Sequence, residues 1–181
     1  RANLVTYRKE GSSVRYSLTS PHVAELLAVA RLILTGVLSG QAELLDDLRA
    51  EHHDLVGYVA TADLGLAVPA EPWDVRDTVS HLLVGDEKAL LAAADPDAFA
   101  AELPQVIADP QGFIDSWLEA GRDLPKEALL ERWTAGLEAL ATAIGKVPEG
   151  TKIPWYGPPM SPASFATARV MEYWAHGQDV V

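Results

Sequence analysis

Over most of the chain, apolar residues recur at intervals of three and four, the spacing of helices that bury one face. Between residues 41 and about 62 the stripe is Leu44, Leu45, Leu48, Leu55, Val56 and Val59. Asp74 is a side-chain cap for a helix from 75 to about 93, with Val75, Val79, Leu82 and Leu90 on its apolar side. Residues 96–108 and 109–122 read as two shorter helices broken at Asp109-Pro110, because the residue before a proline avoids helical backbone. Pro125 opens a helix to about 144, with Leu129, Leu130, Trp133, Leu137, Leu140 and Ala141 inward, and Ser161 caps a last helix to about 178. Two segments interrupt the pattern: a proline-punctuated linker at 67–73 and a loop rich in proline and glycine at 145–160. The loop's stiff aromatic stretch, with Trp155 and Tyr156, either packs over one end of the helices or walls a pocket. Four long helices with short connections predict a mainly α fold, an up-and-down four-helix bundle over residues 41–181.

The first 40 residues follow a different rule. Residues 4–18 hold two runs of β-branched and aromatic residues around Glu10-Gly11-Ser12, which predicts a small N-terminal β-hairpin with Arg8, Lys9 and Arg15 at its tip. Pro21 then opens a helix over 22–38, closed by Ser39-Gly40. A lone hairpin is marginal in water, so this one is expected to dock on a neighbour. The chain thus divides into residues 1–40 and 41–181.

With 49% apolar residues the chain can bury a core, yet no run approaches the ~18 apolar residues of a membrane span. Arg1 opens no signal peptide, and a cytoplasmic location is expected, with no membrane partner. Cysteine is absent, which excludes disulfides, thiolate zinc sites and a cysteine nucleophile. Any metal must then be held by imidazole and carboxylate, a donor set suited to zinc, nickel, iron or manganese. The net charge of −12 is uneven: residues 1–40 carry five Lys/Arg against two Asp/Glu, leaving nine against 24 in the remainder. A body so acidic does not bind nucleic acid by general electrostatics. Glycine-rich phosphate loops and a G-x-S-x-G elbow are missing as well.

Candidate chemistry gathers on the last helix, where Glu172 and His176 stand four residues apart and therefore one turn apart on one face. Ala168, Arg169, Ala175 and Asp179 share that face, and small neighbours leave room for a guest. Asp179 is spaced to accept a hydrogen bond from the imidazole nitrogen not used for a metal. The same E-x-x-x-H spacing also describes an ordinary surface pair. His52 and His53 point about 100° apart and read as surface or boundary residues. His81 lies off the apolar stripe of its helix, beside Asp77, Val84 and Lys88. It is exposed, as periodicity favours, or it faces a cavity if that helix is central.

Two resemblances extend this reading. The order of strand, basic turn, strand, Ser/Pro cap and helix over about 40 residues resembles the wing and final helix of ArsR-type winged-helix repressors. That likeness implies DNA contacts at Arg8, Lys9 and Arg15 where a complete winged helix lies upstream of Arg1. The second rests on two separated motifs, Trp73-Asp74-Val75-Arg76-Asp77 leading to His81, and Glu172-Tyr173-Trp174-Ala175-His176. Together they resemble the DinB-like metal-binding domain of mycothiol-dependent maleylpyruvate isomerases, in particular an actinobacterial branch carrying Trp155-Tyr156-Gly157-Pro158-Pro159-Met160-Ser161 before the last helix. The resemblance implies that His81, Glu172 and His176 bind zinc or another divalent metal and leave an open coordination position. It implies a thiol-dependent transferase or isomerase acting through a metal-activated low-molecular-weight thiol, mycothiol, on a small electrophile. No catalytic residue is assigned beyond the metal. Arg169, Trp155 and Tyr156 are candidate substrate contacts, Arg169 either holding a substrate carboxylate or pairing with Glu172 or Asp179. The alternative is an ArsR-type regulator whose bundle senses a metal or small molecule, and a third option is a metal-stabilised interaction domain. A homodimer is compatible with each.

Overall fold

The computed structural model describes the backbone of residues 5–10 and 13–18 and, with side chains, residues 40–70, 72–148 and 150–180. The chain forms two compact units, Arg1–Ser39 and Gly40–Val181. In the first, β1 (Val5–Glu10) pairs antiparallel with β2 (Ser13–Leu18), Val5 opposite Leu18 and Arg8 opposite Arg15. The helix expected over 22–38 and the side chains of Arg8, Lys9 and Arg15 lie outside the described residues.

The second unit is helical: α1 (Gln41–Thr61), α2 (Val75–Ala94), α3 (Pro96–Ala108), α4 (Pro110–Arg122), α5 (Lys126–Lys146) and α6 (Pro162–Val180). The boundaries follow from capping chemistry. Asp74 accepts from the Asp77 amide at 2.8 Å while the Asp77 carboxylate accepts from the Asp74 amide, a reciprocal box that starts α2. Asp95 and Asp109 cap α3 and α4 one way only, their carboxylates accepting from the Ala98 and Gly112 amides, and each is followed by a proline in the first turn. A Ser161 hydroxyl accepts from the Ser164 amide at the start of α6.

α2 is the centre of the unit, packing on α3, α4, α5 and α6, while α1 packs on α5 and α6. Eleven of its residues are buried, among them the polar Thr78, Ser80 and Asp86. A helix covered on several sides has no free polar face, and this decides where His81 lies. Trp133, Leu48, Leu82 and Leu129 are fully buried, and each such side chain contributes about 1.5–3 kcal/mol by leaving water.

Two closures bring the connecting segments onto the bundle. The linker before α2 folds back, Val68 N donating to Trp73 O at 3.1 Å and Val75 N to Leu66 O at 3.0 Å, which seats Trp73 at the start of α2. Ile153 and Met160 exchange both backbone hydrogen bonds, at 2.8 and 3.0 Å, and close the aromatic loop on itself. Gly121 lets α4 approach α2, because a Cβ there would overlap the Ser80 hydroxyl. Arg76 fastens the same junction by donating to the Gly121 and Leu124 carbonyls at 2.8 and 2.7 Å.

Candidate metal centre

The capping box that starts α2 sets the phase of everything after it. His81 lies four residues beyond Asp77, hence one turn further along the same face, and that face meets α6 and α4. Its side chain is 14% exposed, so the exposure that periodicity favours is corrected: α2 is central, and the side away from the Val75–Val79–Leu82 stripe is covered too. Nε2 of His81 stands 3.6 Å from Oε2 of Glu172, and Nε2 of His176 stands 3.6 Å from the same oxygen. One ligand atom from each residue falls within 4.8 Å of the other two. Donors around a tetrahedral zinc are about 3.3 Å apart for bonds of about 2.0–2.2 Å, so this triangle closes on a divalent cation with small side-chain shifts. Two imidazoles and one carboxylate are also a donor set of catalytic zinc sites.

The electrostatics favour a cation at this point. Attraction first from His176 and then from His81 holds the Glu172 carboxyl well below the usual carboxylate range, against the opposing effect of burial. At 3.6 Å both contacts exceed an ordinary hydrogen bond, so the three side chains cluster without satisfying one another. The Nδ1 atoms of His81 and His176 are buried with no hydrogen-bond partner among the described residues. Asp179 has its Oδ2 3.6 Å from His176 Nδ1, near enough to orient the ring after a small movement and too far for the expected hydrogen bond.

Aromatic rings enclose the imidazoles. Trp73 lies 5.1 Å from His81 and 6.0 Å from His176 between ring centroids, and Trp117 of α4 lies 5.4 Å from His81. On one side, a cavity of about 190 Å³ is bounded by His81, Trp117, Trp155, Tyr156, Arg169 and Glu172, together with apolar residues. On the other, an acidic cleft of about 620 Å³ reaches His176 between Trp73, Asp77, Asp115, Glu119 and Arg122. Trp155 and Tyr156 fill both roles left open for their loop: they pack on Phe99 and Phe165 and also wall the smaller cavity.

Arg169 borders that cavity, but its hydrogen bonds run elsewhere. Its Nε and Nη2 donate to Oδ1 of Asp86 at 3.1 and 2.8 Å, in place of a pair with Glu172 or Asp179. Asp86 also accepts from the Tyr173 hydroxyl, which in turn accepts from Trp133 Nε1 at 2.7 Å. Burial pushes the Asp86 carboxyl up, and Arg169 followed by Tyr173 pull it back. With three donors on its oxygens, the geometry serves the ionised form.

His52 joins this network, which corrects its placement as a surface or boundary residue: it is 4% exposed. Its Nδ1 lies 3.1 Å from the Tyr173 oxygen and its Nε2 3.2 Å from Thr134 Oγ1. Because the Tyr173 proton is engaged by Asp86, His52 Nδ1 carries the hydrogen and Nε2 accepts from Thr134. Burial, then His53, lowers its pKa to about 4, so it is neutral. His53 itself is exposed. The sequence held a signal for this network in Asp86, which falls on the stripe of Val75, Val79 and Leu82, where a carboxylate requires a buried partner.

An uncharacterised protein of Mycobacterium tuberculosis, found in two strains, is 42% identical over 137 residues, 74% of this chain and 53% of the relative. The chain therefore spans about half the length of that relative. An uncharacterised HTH-type transcriptional regulator of M. tuberculosis is 50% identical over 50 residues, 28% of this chain and 44% of the regulator. No solved structure matches the chain. The family model described as the mycothiol maleylpyruvate isomerase N-terminal domain matches residues 45–181, the whole stretch that carries the two histidines, the glutamate and the buried network beneath them, and the chain belongs to that family.

Proposed function

We propose that His81, Glu172 and His176 hold one divalent cation, zinc by the donor set, and that the chain uses it in thiol-dependent transfer or isomerisation with mycothiol as the thiol. The observation that carries this reading is the convergence of three donors from two helices within 4.8 Å. A divalent cation in that position supplies a Lewis acid that lowers the pKa of a coordinated thiol and makes it nucleophilic at neutral pH. Glu172 contributes a carboxylate that stays ionised because its pKa is held low. His81, Glu172 and His176 would hold the cation with three protein donors, and a thiol would be the further ligand on which it acts. Trp73 and Trp117 keep water from one side of the imidazoles. Both a cleft at His176 and a cavity at His81 and Glu172 reach the three donors, so a thiol and a small electrophile can approach the cation separately. The four long helices are read as an up-and-down DinB-like bundle of a cytoplasmic protein. Among the described residues, no helix is long and apolar enough to cross a membrane.

Metal analysis of protein purified without chelator is the direct test. About one zinc per chain is expected, falling sharply in His81→Ala and in His176→Ala, and added mycothiol should raise the melting temperature of the loaded protein only. Unchanged metal content in both variants would overturn the ligand assignment, and metal binding with no thiol effect would overturn the chemistry. A second reading, a regulator whose DNA affinity changes with the metal, draws on the HTH-type relative alone. It requires a complete winged helix upstream of Arg1.

A further inference from the structure

The three donors of the candidate metal centre belong to two helices. His81 comes from α2, Glu172 and His176 come from α6, and α6 packs chiefly on α1, meeting α2 over a shorter stretch. Apolar burial is non-directional, so it fixes the slide of one helix along another less sharply than hydrogen bonds do. Metal–ligand bonds hold to within about 0.2 Å of their preferred lengths. Something more specific than apolar contact must therefore set α6 against α2.

The Asp86 carboxylate does this. Arg169 donates to its Oδ1 from Nε and Nη2 at 3.1 and 2.8 Å, and the Tyr173 hydroxyl donates to its Oδ2. Arg169 and Tyr173 stand one turn apart on α6, with Glu172 between them in the sequence. Each carboxylate oxygen is thus held from a different level of α6, which opposes sliding as well as rotation. On α2, Asp86 follows His81 by about 7.5 Å of helix axis, at about 1.5 Å per residue. Gly85 admits the guanidinium, since a Cβ there would stand 3.2 Å from both Arg169 terminal nitrogens. Tyr173 is itself fixed, its oxygen accepting from Trp133 Nε1 of α5 at 2.7 Å and lying 3.1 Å from His52 Nδ1 of α1. All four long helices meet at that hydroxyl. Apolar residues of similar size often replace a buried ion pair without loss of stability, and registry is the best-attested use of such a pair.

We propose that Asp86, Arg169 and Tyr173 are positioning residues of the metal centre: the carboxylate, held on both oxygens, registers α6 against α2 so that Glu172 and His176 meet His81 at metal-binding distance. The three supply no donor to the cation and act through the helices that carry the ligands. The inference rests on the metal assignment proposed above for its effect on zinc, and on the buried network alone for the register of the metal-free protein.

The test is the double variant Asp86→Leu/Arg169→Met, which removes one charge of each sign and so leaves the field at the metal nearly balanced. Urea unfolding should show a stability close to wild type. Zinc affinity, read by competition with a chromophoric chelator where the variant is fully folded, should nevertheless fall about tenfold, the low end of the loss when a partner outside the ligand set is removed. A network that only stabilises the fold would return affinity along with stability. If the double variant does not fold, Tyr173→Phe, which frees one carboxylate oxygen, should lower zinc affinity about threefold, the weight of one hydrogen bond. The chain has no cysteine, so spin labels at Ala94→Cys of α2 and Gln178→Cys of α6, both exposed, can read the register without metal. Their separation by pulsed EPR should be narrowly distributed in the otherwise wild-type metal-free protein and shifted or broadened in the same variant. Zinc affinity within about twofold of wild type in the folded variant would overturn the inference, and so would identical label distances. Should wild type bind no zinc, the metal assignment fails and the label distances alone decide.

Discussion

Arg169→Met tests how the bundle beneath the metal centre is held. Asp86 has no exposed side-chain surface and Arg169 only 5%, so the substitution leaves a buried carboxylate without the guanidinium that donates to it twice. Opposite charges about 4 Å apart interact by about 4 kcal/mol at an effective dielectric of 20, and breaking a buried pair from one side costs about 3–5 kcal/mol. A loss of that size at pH 7 is expected in urea unfolding. The pH dependence gives a sharper check. Without Arg169, the upward push of burial on Asp86 loses its largest counterweight. A carboxyl whose folded pKa exceeds its unfolded value favours the fold at low pH and opposes it once pH rises through the folded pKa. The deficit of the variant relative to wild type should therefore shrink as pH falls from 7 toward 5. The double variant Asp86→Leu/Arg169→Met, with no charge left to bury, should recover most of the loss. A deficit under about 1 kcal/mol at pH 7, or one independent of pH, would refute the reasoning.

Other perturbations read other joints. His52 is neutral when folded, with a pKa lowered to about 4, and takes up a proton near 6.5 once unfolded, so its contribution is complete above about pH 6.5 and is lost as pH falls toward 4. Relative to His52→Gln, wild type should lose roughly 3 kcal/mol across that window by pH-dependent urea unfolding. Gly121→Ala should destabilise by about 1–3 kcal/mol in spite of better helix propensity, because the new methyl meets Ser80, and adding Ser80→Gly should restore much of the melting temperature. Asp74→Ala removes the cap of α2 and should cost about 1 kcal/mol in thermal unfolding.

The helices were legible because their ends are written in local chemistry. Asp74, Asp95-Pro96, Asp109-Pro110 and Ser161 act on amides within three residues, and the structure starts a helix at each. Glu172 and His176 were legible for the same reason, since four residues on one helix always stack. His81 was not legible from periodicity, which assumes one buried face per helix, whereas α2 is covered by four neighbours. His52 was hidden because its partners Tyr173 and Thr134 come from other helices, and a helical stripe of leucines says nothing of a polar group bonded across the core. Arg169 was placed on the correct face, but its partner Asp86 is 83 residues away.

The wall that carries Trp155 and Tyr156 is a short ring of chain knotted at its neck by Ile153 and Met160 and stiffened by Pro154, Pro158 and Pro159. Such a frame has already given up its conformational freedom during folding. A molecule entering beside it meets a finished mould, and its affinity is not taxed by a loop that must first settle around it.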